Sequence, residues 1–296
     1  MNSVIRSTGA YLPTRYVKNE DFSQWPDDFR ALIQEKTGIV GRHIAGDDEA
    51  ASDLAAQAGL NALDKVAFDP EDLEIILCAT SSPDQLIPQT AAFIQEKLRA
   101  KNAAALDINA VCSGFVYGLS IGDALVRSGK YRNVLLVSVD TYSKFLDWDD
   151  ISTAAYFGDG AGAVLLEESE EKGRGILDTL LGADGTGASL IQIPGGGSRK
   201  PYQKVDSSKK EQCFRMKGKK IFDFAVDVGT KMILEILSRN SLEVDDISRI
   251  IPHQANVNIV NELSRKTSIP LERFVVDLEQ VGNTASASIP IALDRV

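Results

Sequence analysis

Apolar runs of strand length alternate with longer stretches of helical periodicity along most of this chain, and that rhythm most restricts the architectures open to it. LEIILCAT (73–80), AALDINAV (104–111), YRNVLLVSVD (131–140), AGAVLLEE (161–168), SRIIPH (248–253) and RFVVDL (273–278) read as strands. Residues 50–64, 88–99, 114–128, 220–239 and 256–267 read as the helices between them. Interleaving of this kind predicts an α/β fold layered on a mainly parallel sheet. Gly129 and Asn240 stand where helices should stop. The Gly-, Ser-, Pro- and Lys-rich stretch 185–210 predicts a long loop joining two halves.

The halves echo one another. DLEII from Asp72 and DISRII from Asp246 each precede a helix, and AALDINAVCSGFVYGL and FVVDLEQVGNTASASIPIAL each carry a strand into a helix. Asp107 and Asp277 fall in matching places, with Cys112 and Asn283 just after them. Agreement in order and spacing predicts a duplicated architecture, divided into residues 1–170 and 171–296.

Charge and composition narrow the function. The hydrophobic share is 44% and the net charge −10, which describes an ordinary globular chain and argues against a dedicated nucleic-acid binder. No apolar run is long enough to cross a bilayer, and the opening residues show no secretory leader, so a reducing cytoplasm is expected. Three cysteines are too few and too scattered for a disulfide framework or a zinc site. With only two histidines, His43 and His253, acid–base chemistry has few possible carriers.

Cys112 lies between a strand-like and a helix-like run, so its thiol should sit at a helix N-terminus, where the thiolate is favoured. Ser113 and Gly114 would let a substrate approach the backbone; a buried structural cysteine is the plainer reading. Cys78, in an apolar strand, and Cys213, in a basic loop, are read as structural. His253 follows the strand-like SRIIP, at the sheet edge where open α/β proteins place ligands. Asn283 belongs to a Gly-Asn-Thr turn after the next strand, which turn chemistry alone can explain. Together the three share one edge of a duplicated sheet.

DINAVCSGFVYGL, FGDGAGAVLL (157–166), PHQANVNIV (252–260) and GNTASASIPIAL (282–293) resemble the β-ketoacyl-acyl carrier protein synthase III family of the thiolase superfamily. So do GAYLP near the start, TGIVGRHIA (37–45) and ADGTGASL (183–190). The resemblance implies a five-layered αβαβα fold, a homodimer, acyl-CoA and acyl carrier protein as thioester partners, and no metal or redox cofactor. It implies a two-step Claisen condensation. Cys112 would hold the acyl group, while His253 Nε2 and the Asn283 amide would donate to the acceptor thioester oxygen as malonyl loses carbon dioxide. His43 falls in the RHIA segment, which has no catalytic duty in the family. A papain-like Cys-His-Asn protease does not fit the motifs. Acyl transfer to an alcohol or amine, and a catalytically inert subunit, remain as alternatives.

The resemblance also marks departures. Leu32 and Ile151 stand where the family carries the Trp and Arg that sandwich adenine, and Asp223 and Asn258 replace basic residues that help dock the carrier. Lys36, Thr37, Gly218, Phe222, Ala255 and Asn256 remain compatible with a pantetheine tunnel. Either adenine binding is weakened, with acyl groups coming from a carrier or an unusual acyl-CoA, or these are tolerated changes in a housekeeping starter enzyme. Ile87, where many members have Phe, belongs to a segment that shapes the partner's acyl pocket in the family's dimer. From Lys204 to Lys220, seven positive side chains face two negative ones, so a basic loop abuts Gly218 and Phe222. It is either an attractor for phosphate or an acidic carrier, or a solvated charged loop. The resemblance further predicts more helix, two strands and a glycine-rich turn after Val296, the turn giving a second oxyanion N–H.

Overall fold

The structure, a computed structural model, describes residues 2–169, 171 and 173–296. Its elements in chain order begin with strand β1 (Asn2–Tyr11), strand β2 (Tyr16–Lys18), helix α1 (Asp27–Thr37), strand β3 (Gly41–His43), helix α2 (Ala51–Asp64), strand β4 (Ile75–Ala79) and helix α3 (Thr90–Leu98). Strand β5 (Ala104–Ile108), helix α4 (Gly114–Arg127), strand β6 (Asn133–Asp140), the short helix α5 (Ile151–Ala154) and strand β7 (Gly160–Ser169) complete the first half. Strands β8 (Ile191–Gln192) and β9 (Arg215–Met216) precede helices α6 (Gly218–Arg239), α7 (Val257–Thr267) and α8 (Ser288–Arg295).

The central sheet runs β1-β7-β6-β4-β5. β4 is parallel to β5 and β6, but β7 is antiparallel to both β6 and β1, so the sheet is mixed where the sequence predicts a mainly parallel one. No crossover is needed between β6 and β7, because the connection carrying α5 turns the chain back on itself. β1 has no apolar alternation to announce it. Its inward positions include Ser3, Ser7 and Gly9, and a bulge between Ile5 and Ser7 breaks the period. Gly9 is required there, since a Cβ would lie 2.4 Å from the Ala58 carbonyl oxygen of α2.

Each face of the sheet is covered. α2 and α3 pack Leu54, Leu63, Ile94 and Leu98 onto Ile76, Leu135, Val137 and Leu165. On the other face, α4 and α8 bring Phe115, Val126, Ile289 and Leu293 against Leu77, Leu136, Val164 and Leu166. Gly118 and Gly122 allow α4 to settle directly onto Leu136 and Leu166. A further apolar cluster joins α6 and α7 to the extended segments around Ile250 and Phe274.

The strands expected over 248–253 and 273–278 are therefore only partly formed. One parallel bridge, Ile250–Phe274, joins them, held by the Ile250 N–H on the Arg273 carbonyl (2.7 Å) and the Val275 N–H on the Ile250 carbonyl (2.8 Å). Among the described residues no third strand pairs with them, so an extended backbone does not become a ladder. The expected loop 185–210 is coil with isolated 3-10 turns, apart from β8, which pairs with β9 in a two-stranded ribbon. Gly129 (φ 70) and Asn240 end α4 and α6 as expected.

Candidate active site

β5 ends at Ile108, and a 3-10 turn, Val111–Ser113, leads into α4. The turn puts Val111 at φ 49, a left-handed conformation that a β-branched side chain resists by roughly 1–3 kcal/mol. Cys112 follows at the centre of the turn. It packs on a cluster that includes Tyr142, Phe157, Phe214 and Ala285. Phe214 meets both Tyr142 and Phe157 edge-on, with ring centroids 4.9 Å apart.

This packing acts against the effect expected of the helix N-terminus. Burial pushes the Cys112 thiol up to about 12, and the nearby Asp140 carboxylate pushes in the same direction. Only the backbone N–H of Cys112 itself opposes them. Losing water disfavours the anion. Cys78 and Cys213 are buried and also held as thiols, in accord with structural roles.

Asp140, at the end of β6, is fully buried. Oδ1 accepts from the Ser81 N–H (3.0 Å), the Ser81 hydroxyl (2.9 Å) and the Ser82 hydroxyl (2.9 Å). Oδ2 accepts from the Ser286 N–H (3.0 Å) and hydroxyl (2.6 Å). Burial raises the Asp140 pKa, and these five hydrogen bonds oppose it by favouring the carboxylate; the Ser286 hydroxyl also reaches the Ala79 carbonyl (3.1 Å). Tyr142 Oη shares a 2.8 Å hydrogen bond with Ser81 Oγ, linking the aromatic cluster to this network.

Asn283 is pinned by its backbone. Its N–H donates to the Tyr156 carbonyl (2.8 Å), and its own carbonyl accepts from the Gly158 N–H (3.1 Å). Gly282 before it takes φ 71, with Arg42 and the Tyr156 carbonyl too close to admit a side chain comfortably. Asn283 Oδ1 accepts from the Ala285 N–H (2.9 Å), which fixes the amide and leaves Nδ2 as its donor end. Arg42 lies beneath this loop with no exposure, donating to the Ala155 carbonyl (2.6 Å) and facing the Phe22 ring at 5.3 Å.

The structure also refines the internal repeat. Ala285 (φ 47) opens a 3-10 turn, Ala285–Ala287, that leads into α8 as Val111 opens the turn leading into α4. By this correspondence Ser286, not Asn283, occupies the place of Cys112 in the second half. The two turns touch: a Cβ on Gly114 would lie 3.2 Å from Ser286 Cβ.

His253 completes the arrangement from the other side. Its Nδ1 lies 2.6 Å from the hydroxyl of Ser288, the first residue of α8. Burial lowers its pKa to about 4, so the ring is neutral at pH 7. Asn283, the turn that touches the Cys112 turn, and the His253 partner thus all lie on one stretch, 283–288. His43 sits on β3 with Nδ1 2.6 Å from the Pro13 carbonyl, bound into the fold instead.

The predicted substrate-binding residues divide. The Thr37 hydroxyl is buried and spent on the end of α1, donating to the Ile33 carbonyl (2.7 Å) and accepting from the Ile39 N–H (3.0 Å). Asn256 caps α7, its Oδ1 accepting from the Asn258 N–H (2.8 Å), and Asn258 Nδ2 reaches the Lys36 carbonyl (2.8 Å). That contact brings Lys36 beside Asn256, with Ala255 preceding it. Gly218 and Phe222 open α6. Ile87 is 84% exposed and fills no pocket of its own chain. Beside Ile151, Trp148 stacks on Phe22 (5.3 Å), and Phe22 stacks on Trp25 (4.1 Å), an aromatic group that residue-by-residue comparison with Leu32 does not reveal.

The basic loop is more neutralised than its composition indicates. Lys210 pairs with Asp147 (3.1 Å), Lys209 with Asp206 (3.1 Å) and Lys219 with Asp223 (3.2 Å). Lys204, Lys217 and Lys220 form no ion pair among the described residues. Two shallow clefts, of 490 and 640 Å³, lie at the opposite edge of the sheet around Asp72 and Arg132, away from Cys112. Among the described residues no helix is long and apolar enough to cross a membrane.

Comparison with known proteins gives a consistent result. The model of the 3-Oxoacyl-[acyl-carrier-protein (ACP)] synthase III family matches residues 106–185, and that of its C-terminal domain matches 237–296. A β-ketoacyl-[acyl-carrier-protein] synthase III of Methylococcus capsulatus is 41% identical over 99% of this chain and 89% of its own length. The crystal structure of 3-oxoacyl-[acyl-carrier-protein] synthase III from Aquifex aeolicus VF5 is similar with a TM-score of 0.88 and 38% identity, over 99% of this chain and 90% of that one. The priming β-ketosynthase of the R1128 polyketide biosynthetic pathway is similar with a TM-score of 0.92 and 33% identity, over 99% and 87%.

Proposed function

The chain belongs to the 3-oxoacyl-[acyl-carrier-protein] synthase III family, with its thiolase-like α/β fold, and on that premise we propose that it condenses an acyl thioester with malonyl-acyl carrier protein through an acyl-Cys112 intermediate. One observation carries the assignment of residues. Asn283 opens the 283–288 segment, and Cys112 and His253 reach that segment from two other stretches, at Ala285 and Ser288.

In the first step Cys112 Sγ attacks the donor carbonyl, and its proton leaves with the departing thiol. Burial raises the thiol pKa, which favours attack coupled to proton loss over a stored thiolate. The oxyanion formed receives the Cys112 backbone N–H. In the second step the malonyl carboxylate departs as carbon dioxide, leaving its electron pair on the α-carbon as an enolate. His253 Nε2–H and Asn283 Nδ2–H donate to the enolate oxygen, and a neutral imidazole suits a donor that is not asked to give up its proton. The carbanion attacks acyl-Cys112, and the released thiolate takes a proton from solvent. Every bond and charge is accounted for without a metal or redox cofactor.

Acyl carrier protein and acyl-CoA are the proposed partners, drawn to Lys204, Lys217 and Lys220, and the proposed location is the cytoplasm. The proposed oligomer is a homodimer joined along β5. That strand forms one edge of the sheet, and Leu86, Ile87 and Leu106 beside it are 80%, 84% and 48% exposed. Residues 1–170 and 171–296 are the proposed halves. Incubation with acyl-CoA or acyl-carrier protein, then malonyl-carrier protein, tests the function by mass spectrometry. Label on Cys112 followed by a product two carbons longer supports it. Label released only to an amine or alcohol indicates acyl transfer, and absence of label indicates an inert subunit.

A further inference from the structure

The hydroxyl of Ser288 stands between two nitrogens. The Gln254 backbone N–H, which can only donate, points at Ser288 Oγ over 3.3 Å. His253 Nδ1 lies 2.6 Å from the same oxygen. Ser288 is 3% exposed, so water cannot readily substitute for either partner. Among the described residues Ser288 Oγ has no other hydrogen-bond partner. Its one proton therefore has a single acceptor to go to, and that acceptor is Nδ1. Were Nδ1 itself protonated, two N–H groups would converge on an oxygen whose own proton had nowhere to go.

We propose that Ser288 is a positioning residue that holds His253 in the Nε2–H tautomer, by donating to Nδ1 while accepting from the Gln254 N–H. The functional consequence rests on the reading of His253 as an oxyanion donor; the tautomer does not. A neutral imidazole has one N–H, and it must be on Nε2 if that atom is to donate to the enolate oxygen. The other tautomer would aim a lone pair at developing negative charge. The chain supplies its own contrast in His43. There Nδ1 faces the Pro13 carbonyl oxygen at 2.6 Å, an atom that can only accept, so His43 carries its proton on Nδ1. The two histidines of this protein are fixed in opposite tautomers by the chemistry of their partners.

Long-range ¹H–¹⁵N correlation spectra of the ¹⁵N-labelled full chain at pH 7 read this directly, with a His43→Gln variant to assign the two rings. The expected spectrum shows His253 protonated on Nε2 and His43 on Nδ1. His253 protonated on Nδ1 in the wild-type protein would overturn the proposal. In Ser288→Ala the Nδ1 lone pair loses its donor, so the His253 Nδ1 ¹⁵N resonance should move towards that of an unbonded imine nitrogen, and Ser288→Thr should restore it. An unaltered Nδ1 resonance in folded Ser288→Ala would also overturn it. In kinetics, Ser288→Ala should lower kcat for malonyl decarboxylation by about tenfold or more, towards the ~100-fold cost of losing an oxyanion donor. Acylation of Cys112 should stay within about twofold of wild type, because Ser288 does not serve that step. A wild-type spectrum as expected in a protein that performs no condensation would retain the tautomer assignment and refute the function.

Discussion

Ser286 of the second half gives both its backbone N–H (3.0 Å) and its hydroxyl (2.6 Å) to the buried carboxylate of Asp140 in the first. Ser286 follows Ala285 in the turn before α8 as Cys112 follows Val111 in the turn before α4, and there it acts as a clasp. The clasp sits beside the thiol and raises its pKa, so stability and reactivity are coupled at one carboxylate.

Asp140→Asn should destabilise the fold by about 2–4 kcal/mol, since an amide nitrogen cannot accept from the backbone N–H of Ser81 or Ser286, which meet different carboxylate oxygens. Urea unfolding measures the loss. Ser286→Ala should cost less, roughly 1–3 kcal/mol, because it removes one hydroxyl and leaves the backbone bond. Equal stability of Asp140→Asn and wild type would show that the network is not ionised.

Alkylation of Cys112 by iodoacetamide should be slow at pH 7 and rise about tenfold per pH unit up to pH 9 without a plateau, as expected for a thiol raised to about 12. Mass spectrometry of the modified peptide separates Cys112 from Cys78 and Cys213. A plateau below pH 8 would mean that the helix N-terminus governs the thiol after all.

His253 predicts a pH dependence of stability with a definite sign. Its folded pKa is depressed to about 4, below the ordinary histidine value near 6.5, so between these values the unfolded chain binds the extra proton. The contribution of His253 is fully present above about pH 6.5, falls as the pH drops towards 4, and is then exhausted, a difference on the order of 3 kcal/mol. His253→Gln should flatten that part of the urea-derived stability curve. An unchanged slope between pH 4 and 6 would contradict the assignment.

Val111→Gly should leave stability unchanged or raise it by up to about 1 kcal/mol, because glycine adopts φ 49 freely. Val137→Gly, at a fully buried position in β6, should instead cost roughly 3 kcal/mol or more. The same Val111→Gly change should slow acylation of Cys112 by loosening the turn that presents it. Thermal melts and donor-labelling rates check the two halves of this statement.

The parts legible in the sequence are those with a local signature. β4, β6 and β7 are continuous apolar runs, α2 and α4 are periodic, and Cys112, His253 and Asn283 stand at motif-bearing transitions. β1 was hidden because its inward residues are small and polar, and the direction of β7 because antiparallel return leaves no mark in its own residues. The segments around Ile250 and Phe274 look like strands by composition, yet a ladder depends on neighbours that composition does not contain. Asp140, Ser286 and Ser288 carry no local signature for a related reason. Aspartate and serine are common everywhere, and their meaning lies in partners over a hundred residues away for Ser286 and Asp140, and 35 away for Ser288 and His253. The upward push on the Cys112 thiol is likewise hidden, since adjacency to a helix is visible in sequence and the packing around the thiol is not.

The central claim separates cleanly into two partial reactions, each measurable with mass spectrometry and release of labelled carbon dioxide from malonyl-carrier protein. Cys112→Ala should take up no acyl group. His253→Ala and Asn283→Ala should still acylate Cys112, while their decarboxylation falls by about 10²–10³, the cost of losing an oxyanion donor. Wild-type decarboxylation rates in both of these variants would contradict the account.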